Sequence, residues 1–189
     1  IALILFAIYY ANKINPRNFN TKTETFQSVL IEKELHAKRK IIEIEEQLLF
    51  KSVDSLFLID KYTHQYGKDG ILFLVFEDSI LRYWSDNSVP VFSFYSDNNF
   101  NSDFGFFSNA WFEIIKKEAK QFVIIALIKI KNAYTYENQF LNNDFHEDFM
   151  LSSNTLLGSI ESSYNIYNGD GIYLFSLIFS ERSVFNETQ

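Results

Sequence analysis

The chain contains no cysteine, and this absence removes several kinds of site at once. Without cysteine there is no disulfide scaffold, no thiolate zinc site and no cysteine nucleophile. Only three histidines are present, at positions 36, 64 and 146, and none lies in an HExxH spacing. A histidine metal site would therefore require residues distant in sequence to converge. The sequence predicts no metal site, and it leaves the redox compartment open.

Glycine and proline are also scarce, with six and two residues in a chain of 189. There is no GxxxxGK[ST] or GxGxxG loop to hold a phosphate, and no GxSxG turn to present a serine nucleophile. Adjacent acidic residues occur at Glu45-Glu46 and Glu147-Asp148, but neighbouring carboxylates on a chain are usually solvated. We therefore predict that this chain of 189 residues contains no catalytic residues and binds no cofactor.

Positive charge is in the minority, because the net charge is −7. Phosphate backbones require a clustered positive surface. The short basic stretches Lys38–Lys40 and Lys116-Lys117 are each accompanied by glutamate. Nucleic acid is accordingly not an expected partner.

Apolar and aromatic residues are plentiful, at 47% and 18% of the chain. This composition excludes a disordered chain and supplies material for a packed core. At 189 residues, one domain with short appendages is the natural expectation.

Residues Ile1–Ala11 are apolar or aromatic without interruption. They are too few to cross a hydrocarbon layer, which needs about 20 helical residues. Three interpretations are open: the C-terminal part of a transmembrane helix, a signal-peptide core, or a buried element of the fold. Tyr9-Tyr10 followed by Lys13 favours the first, since aromatic and cationic residues mark a membrane interface. No small-x-small cleavage site supports a signal peptide.

A long amphipathic helix is predicted from about Thr21 to Phe50, where glycine and proline are absent. Apolar residues recur there at spacings of three, four or seven: Leu30, Ala37, Ile41, Ile44 and Leu48. The helix is interpreted either as a core element or as a rod leading from the membrane. In the second case it packs on the domain or on a second copy of the chain, which predicts a homodimer through the helix.

After Gly67 the pattern changes to short apolar runs typical of strands. We predict a hairpin of Ile71–Phe76 and Ile80–Trp84, and a hairpin of Trp111–Ile115 and Phe122–Lys131. The sequence further predicts an edge strand at Val89–Phe94, a loop at Tyr95–Asn109, a short helix at Asn138–Phe149 and a strand at Ile172–Phe179.

Hairpin connections require antiparallel pairing. The fold class predicted is therefore α+β, a long N-terminal helix followed by a mostly antiparallel sheet of about five strands. Helices are expected on one face of this single sheet.

Four segments of this region together resemble one known family. They are Trp84-Ser85-Asp86-Asn87, Ser108–Phe112, the run ALIKIKNAYTYENQFLNNDF at 126–145 and the run GDGIYLFSLIF at 169–179. The series is similar to the N-terminal sensory region of Bacteroidetes-type sensor histidine kinases. It covers about residues 70–180, and the third segment is the most specific because of its length.

This resemblance implies a two-component signal-transduction protein, with its phosphorelay and ATP-binding parts beyond Gln189. It implies a PAS-like or Cache-like sensor architecture between two transmembrane helices. Three residues depart from the family pattern: Ala110 replaces glycine, and Phe112 and Phe140 replace tyrosine. These changes argue against a ligand-binding hydroxyl at positions 112 and 140.

Six residues within the resembling segments are candidates for ligand binding: Trp84, Asp86, Asn87, Trp111, Tyr134 and Asn138. Each also has a structural interpretation. The two tryptophan rings could cap the core while their N–H groups bond turn carbonyls. Asp86 and Asn87 could form an Asx turn, and Asn138 could cap a connection.

We therefore expect four segments: the end of a transmembrane helix at 1–13, a juxtamembrane helix at 14–50, a sensor domain at 51–182 and a lead into a second transmembrane helix at 183–189. The expected location is the inner membrane, with residues 14–189 periplasmic. The expected function is to sense a small molecule or protein and relay the signal to a kinase core. The alternative is a membrane-tethered binding or adhesion module without a kinase.

Overall fold

The structure is a computed structural model that describes residues 16–58, 68–87 and 89–180. The segments 1–13 and 183–189, interpreted above as membrane-associated, lie outside the described residues. Among the helices of the described residues, none is both long and apolar enough to cross a membrane.

Helix α1 spans Pro16–Phe50. Proline suits a helix start, because its missing N–H would have no intrahelical partner there. The predicted apolar stripe is confirmed: Leu30, Ala37, Ile41 and Ile44 are all buried. Over this length α1 is a core helix of the domain.

The described strands form two antiparallel sheets. The larger sheet has the order β2-β1-β5-β4-β3 and the smaller one the order β6-β8-β7. The strands are β1 Ile71–Glu77, β2 Ile80–Trp84, β3 Phe104–Phe107, β4 Ala110–Ala119, β5 Phe122–Asn132, β6 Leu156–Gly158, β7 Asn165–Tyr167 and β8 Tyr173–Ile178. The 3₁₀ helices are Val53–Leu58, Asp97–Asn99 and Glu147–Phe149. The α+β class and the two predicted hairpins are confirmed.

The larger sheet is covered on both faces, which explains the unbroken apolar run of β1. Alternate residues such as Phe73 and Val75 join a core cluster with α1 and the smaller sheet. The intervening residues Leu74 and Phe76 pack in a second cluster. That cluster includes Phe100, from the segment that precedes β3.

The expectation of a single sheet is wrong, because β8 pairs with β6 and β7 rather than with the larger sheet. The predicted strand at Val89–Phe94 is also wrong. This segment makes only an isolated bridge between Phe94 and Ile80. Pro90 within it has no N–H to donate to a ladder.

The predicted loop at Tyr95–Asn109 contains β3, which pairs with β4 at the edge of the larger sheet. The predicted helix at Asn138–Phe149 is not formed beyond the single 3₁₀ turn. Side-chain oxygens bond the backbone instead: Asn138 Oδ1 accepts from the N–H groups of Phe140 and Leu141. Asparagine competes with helical hydrogen bonds in this way.

Candidate functional site

The six residues predicted to bind a ligand do not converge on one site. Trp84, Asp86 and Asn87 line a cleft of about 430 Å³ with Leu81 and Val91. Within it, the indole N–H of Trp84 donates to Asn87 Oδ1. The Trp84 ring centroid lies 5.4 Å from that of Phe57. Trp84 therefore fixes the turn after β2 and packs on the first 3₁₀ helix.

Trp111 lines a different cleft, together with Glu137 and Asn143. Its ring stacks on Phe104, with centroids 5.2 Å apart. Asn143 Oδ1 accepts from the backbone N–H of Tyr134 at 2.6 Å. Glu137 Oε1 accepts from the backbone N–H of Asn143 at 2.8 Å.

The two remaining predicted residues, Tyr134 and Asn138, belong to the loop that follows β5. Tyr134 is held there through its backbone by Asn143, and Asn138 bonds the backbone of its own turn. The side chains of Asn138 and Asn143 therefore hold the backbone of this loop, which agrees with the structural interpretation of Asn138.

A third cleft lies against α1, and none of its residues was among the six predicted from the sequence. Its volume is about 410 Å³, within the range of small-molecule sites. Helix α1 supplies four of its residues at helical spacing, and the others come from the start of β1 and from the third 3₁₀ helix and its end: Val29, Glu32, Lys33, His36, Asp69, Ile71, Asp148 and Met150. We call this the α1 cleft.

A buried lysine is among the residues that line the α1 cleft. Lys33 is only 7% exposed. Its Nζ atom donates to Asp148 Oδ2 at 2.5 Å and to the backbone oxygen of Asp69 at 2.5 Å. A buried ammonium needs such partners, because desolvation penalises an unpaired charge. The ion pair thereby joins α1 to the segment that follows β5.

Two histidines lie at or near the α1 cleft: His36 lines it, and His146 lies beside Asp148. His146 is 7% exposed, and its ring would lie 2.5 Å from a Cβ atom at Gly70. Its Nδ1 atom lies 3.4 Å from Asp148 Oδ2. Neither His146 Nδ1 nor His36 Nε2 has a hydrogen-bond partner among the described residues.

The protonation state of His146 follows from its surroundings. Burial and, less strongly, the nearby Lys33 ammonium lower the pKa of His146 to about 4, while Asp148 opposes the shift. The imidazole is therefore neutral at pH 7. A neutral imidazole donates through one nitrogen and accepts through the other.

Sequence reasoning missed this cleft because its residues are far apart along the chain. One histidine, His36, lines it, and His146 lies beside it, with its Nδ1 atom 3.4 Å from Asp148 Oδ2. Within the described residues, however, no group of three or more His, Asp or Glu side chains is placed to hold a metal ion. The only local signal is the pair Glu147-Asp148, and adjacent carboxylates of this kind usually indicate solvated residues.

Comparison of the chain with protein-family models, curated proteins and solved structures finds no match.

Proposed function

We propose that this chain is the extracytoplasmic signal-sensing domain of a membrane-bound sensor histidine kinase. In this proposal the domain has a PAS-like or Cache-like architecture and lies on the periplasmic side of the inner membrane. Residues 1–13 end a transmembrane helix, and a second one follows residue 189. The resemblance of the segments between residues 70 and 180 supports the family.

The observation that carries the proposal is the position of the α1 cleft. Half of the residues that line it belong to the long helix, and this helix leads toward the proposed membrane segment. A ligand in the cleft would contact α1 directly. A signal shifts a conformational equilibrium only through different affinities for the two states, and direct contact with the output helix supplies such a difference.

Helix α1 is also bonded to the smaller sheet through polar side chains. Gln27 Nε2 donates to the backbone oxygen of Tyr167, and Gln27 Oε1 accepts from the Tyr167 N–H at 2.9 Å. One heptad later, Glu34 Oε1 accepts from the Gly169 N–H at 2.8 Å. Because α1 contacts both sheets, a conformational change in either sheet would displace the helix.

The proposed topology can be tested with the full-length gene. We expect a second apolar span and kinase motifs downstream of residue 189. Alkaline phosphatase fused after residue 180 should be active and a cytoplasmic reporter fused there inactive. An inactive phosphatase fusion would contradict the sensor proposal. A gene that ends soon after residue 189 would favour a tethered binding or adhesion module.

A homodimer through α1 is part of the proposal. Leu35, Ile42 and Leu49 are spaced by seven residues, and each is more than half exposed. A seven-residue apolar repeat is the spacing at which two helices pack side by side. The stripe faces away from the core, so it is free to meet a second copy.

The dimer can be tested by sedimentation equilibrium in detergent of matched density. We expect Ile42→Glu to yield monomers, because a charge would be buried between the helices. Phe140→Glu is the matched control, since Phe140 is an exposed apolar residue in another region. A dimer that persists in Ile42→Glu would contradict this part of the proposal.

A further inference from the structure

The turn between β7 and β8 contains the one Asn-Gly pair of the sequence, Asn168-Gly169. In such a pair the backbone nitrogen of the glycine can attack the side-chain amide carbon of the asparagine and close a succinimide ring. Glycine has no Cβ atom to obstruct this approach. Asn168 is half-buried and Gly169 is exposed, so water can reach the pair. The turn therefore holds two groups of the chain that can react with each other.

In the folded chain the attacking nitrogen is already bonded. The Gly169 N–H donates to both carboxylate oxygens of Glu34, at 2.8 Å to Oε1 and at 3.0 Å to Oε2. Glu34 is only 2% exposed, so little water competes for this bond. Attack requires the nitrogen to lose its proton, and a negative charge beside a group disfavours its deprotonation. Glu34 therefore opposes the reaction.

The same contact accounts for glycine at position 169. A Cβ atom there would lie 2.9 Å from Oε2 of Glu34 and 3.7 Å from its Cδ atom, so a side chain would displace the carboxylate. Glycine permits such a close approach to the backbone. The approach that requires glycine thus creates the reactive pair, and the carboxylate that makes the approach protects it.

The side chain of Asn168 is held in the same turn. Its Oδ1 atom accepts from the N–H groups of Asp170 and Ile172, at 3.0 and 2.8 Å. Its Nδ2 atom donates to Asp103 Oδ2 at 3.5 Å. Conversion of the amide to a carboxylate would replace this donor by a like charge facing Asp103, and like charges repel.

We infer that Asn168 is a site of self-modification that Glu34 keeps latent while α1 packs against the turn. Once α1 is displaced, the Gly169 nitrogen gives its proton to solvent and attacks Asn168 Cγ. A bond forms between this nitrogen and Cγ, the bond from Cγ to Nδ2 breaks, and the amide leaves as ammonia after taking a proton from solvent. Water then opens the succinimide at either carbonyl carbon, which leaves aspartate or isoaspartate at position 168.

Either product changes the turn that Glu34 ties to α1. Aspartate adds a carboxylate facing Asp103, and isoaspartate adds a methylene to the backbone. Both weaken the return of the Gly169 N–H to Glu34, so a displacement of the helix leaves a lasting chemical mark. The inference goes beyond the proposed sensor function and does not depend on it, because the reaction requires only this chain and water.

Peptide mass spectrometry measures the reaction as the fraction of Asn168 converted with time. The sample is the chain of residues 1–189 in detergent at neutral pH. We expect the chain unfolded in urea to convert at least about tenfold faster than the folded chain. Folded Glu34→Ala should convert about tenfold faster than the folded unmodified chain, the factor that one charge-assisted hydrogen bond contributes.

Two control variants separate the Glu34 contact from general effects. Glu32→Ala removes an exposed carboxylate from the same helix and should leave the rate unchanged. Ile125→Ala truncates a fully buried residue of the second core cluster, on the other face of the larger sheet from α1. It lowers stability without removing the Glu34 contact, so it should convert Asn168 more slowly than Glu34→Ala does.

Three results would overturn the inference: a folded chain that converts as fast as the unfolded one, equal rates in Glu34→Ala and Glu32→Ala, or an Ile125→Ala rate as high as that of Glu34→Ala. If Glu34→Ala does not fold, hydrogen exchange at the Gly169 amide of the unmodified chain replaces it. This amide lies in an exposed turn but should exchange slowly. Exchange at the rate of an unstructured amide would also overturn the inference.

Discussion

Glu113 of β4 and Glu34 of α1 bring two carboxyl groups together in the interior, at 1% and 2% exposure. Burial raises the pKa of Glu113 to about 10, and the charge of Glu34 and a hydrogen bond to it add to the shift. Glu113 therefore keeps its proton at pH 7 and donates to Glu34. Glu34 in turn accepts from the Gly169 N–H. One shared proton thus links the helix, the larger sheet and the turn before β8.

This pair predicts that stability falls as pH rises from about 4.5 to about 10. Over that range the folded state retains a proton on Glu113 that the unfolded state has lost. The free energy of unfolding should therefore decrease by up to about 1.4 kcal/mol per pH unit. Glu113→Gln keeps a donor to Glu34 without the titration. It should flatten this slope and raise stability at pH 8 by more than about 1 kcal/mol.

Urea unfolding between pH 5 and pH 9 measures this difference. Glu118→Gln, an exposed substitution on the same strand, is the control and should retain the slope of the unmodified chain. Equal slopes for Glu113→Gln and the control would show that Glu113 is not the protonated member of the pair.

The lowered pKa of His146 predicts that stability also falls when the solution is made acidic. Burial and the Lys33 ammonium lower the pKa of His146 to about 4, Lys129 adds to this, and Asp148 and Asp69 oppose it. Between about pH 6.5 and pH 4, His146 binds a proton in the unfolded state but not in the folded state. Stability is therefore full above about pH 6.5 and is lost as pH falls toward 4.

The ring resonances of His146 in an NMR titration test this directly. We expect a midpoint near pH 4 and, in His146→Gln, a shallower loss of stability on acidification. A midpoint near the ordinary histidine value would show that the ring is solvated rather than packed on Gly70.

Gly70 is predicted to be intolerant of a side chain. Its φ is 67°, and a Cβ atom would lie 2.5 Å from Cδ2 of His146. Gly70→Ala should cost about 1–2 kcal/mol for the backbone conformation and about 1–3 kcal/mol more for the overlap. Gly171 has a similar φ of 78°, but a Cβ atom there would have no neighbour within 4 Å. Gly171→Ala should show only the first cost, and equal losses in thermal unfolding would refute the contact.

Phe26 is predicted to be the residue of α1 whose truncation most weakens the contact between the helix and the rest of the domain. Its ring stacks on Phe149 at 4.1 Å and meets Phe175 edge-on at 5.8 Å. Phe26→Ala should lower the free energy of unfolding by about 3–5 kcal/mol. Phe26→Leu removes less of the buried side chain and should destabilise less, so it can be measured if the alanine variant does not fold.

Phe140→Ala is the control for this comparison, because Phe140 is exposed. It should change the free energy of unfolding by less than about 0.5 kcal/mol. Comparable effects of Phe26→Ala and Phe140→Ala in urea unfolding would contradict the packing of α1 described above.

Long, strongly patterned segments were predictable from the sequence. The stripe from Leu30 to Ile44 has the period of a helix, and the runs in β1 and β5 are largely apolar on both faces, as strands covered on both sides require. Tight connections between such runs fix antiparallel hairpins. These features are local, so they can be read from neighbouring residues.

Short and irregular segments were not predictable in the same way. Strands β3, β6 and β7 have three or four residues each, too few to show a period. Whether residues 138–149 form a helix depended on bonds from Asn138 and Asn143 to backbone groups. Propensity alone does not decide that competition.

The sequence by itself determined the fold class, the long helix and the main hairpins, because each follows from hydrophobic period and turn chemistry within one stretch of chain. Only the tertiary structure decided that β8 leaves the larger sheet and that Lys33, Asp69 and Asp148 line one cleft. The pairing of Glu34 with Glu113 was decided there as well. Such contacts join residues far apart in sequence, and only packing of the helix against both sheets brings them within hydrogen-bonding distance.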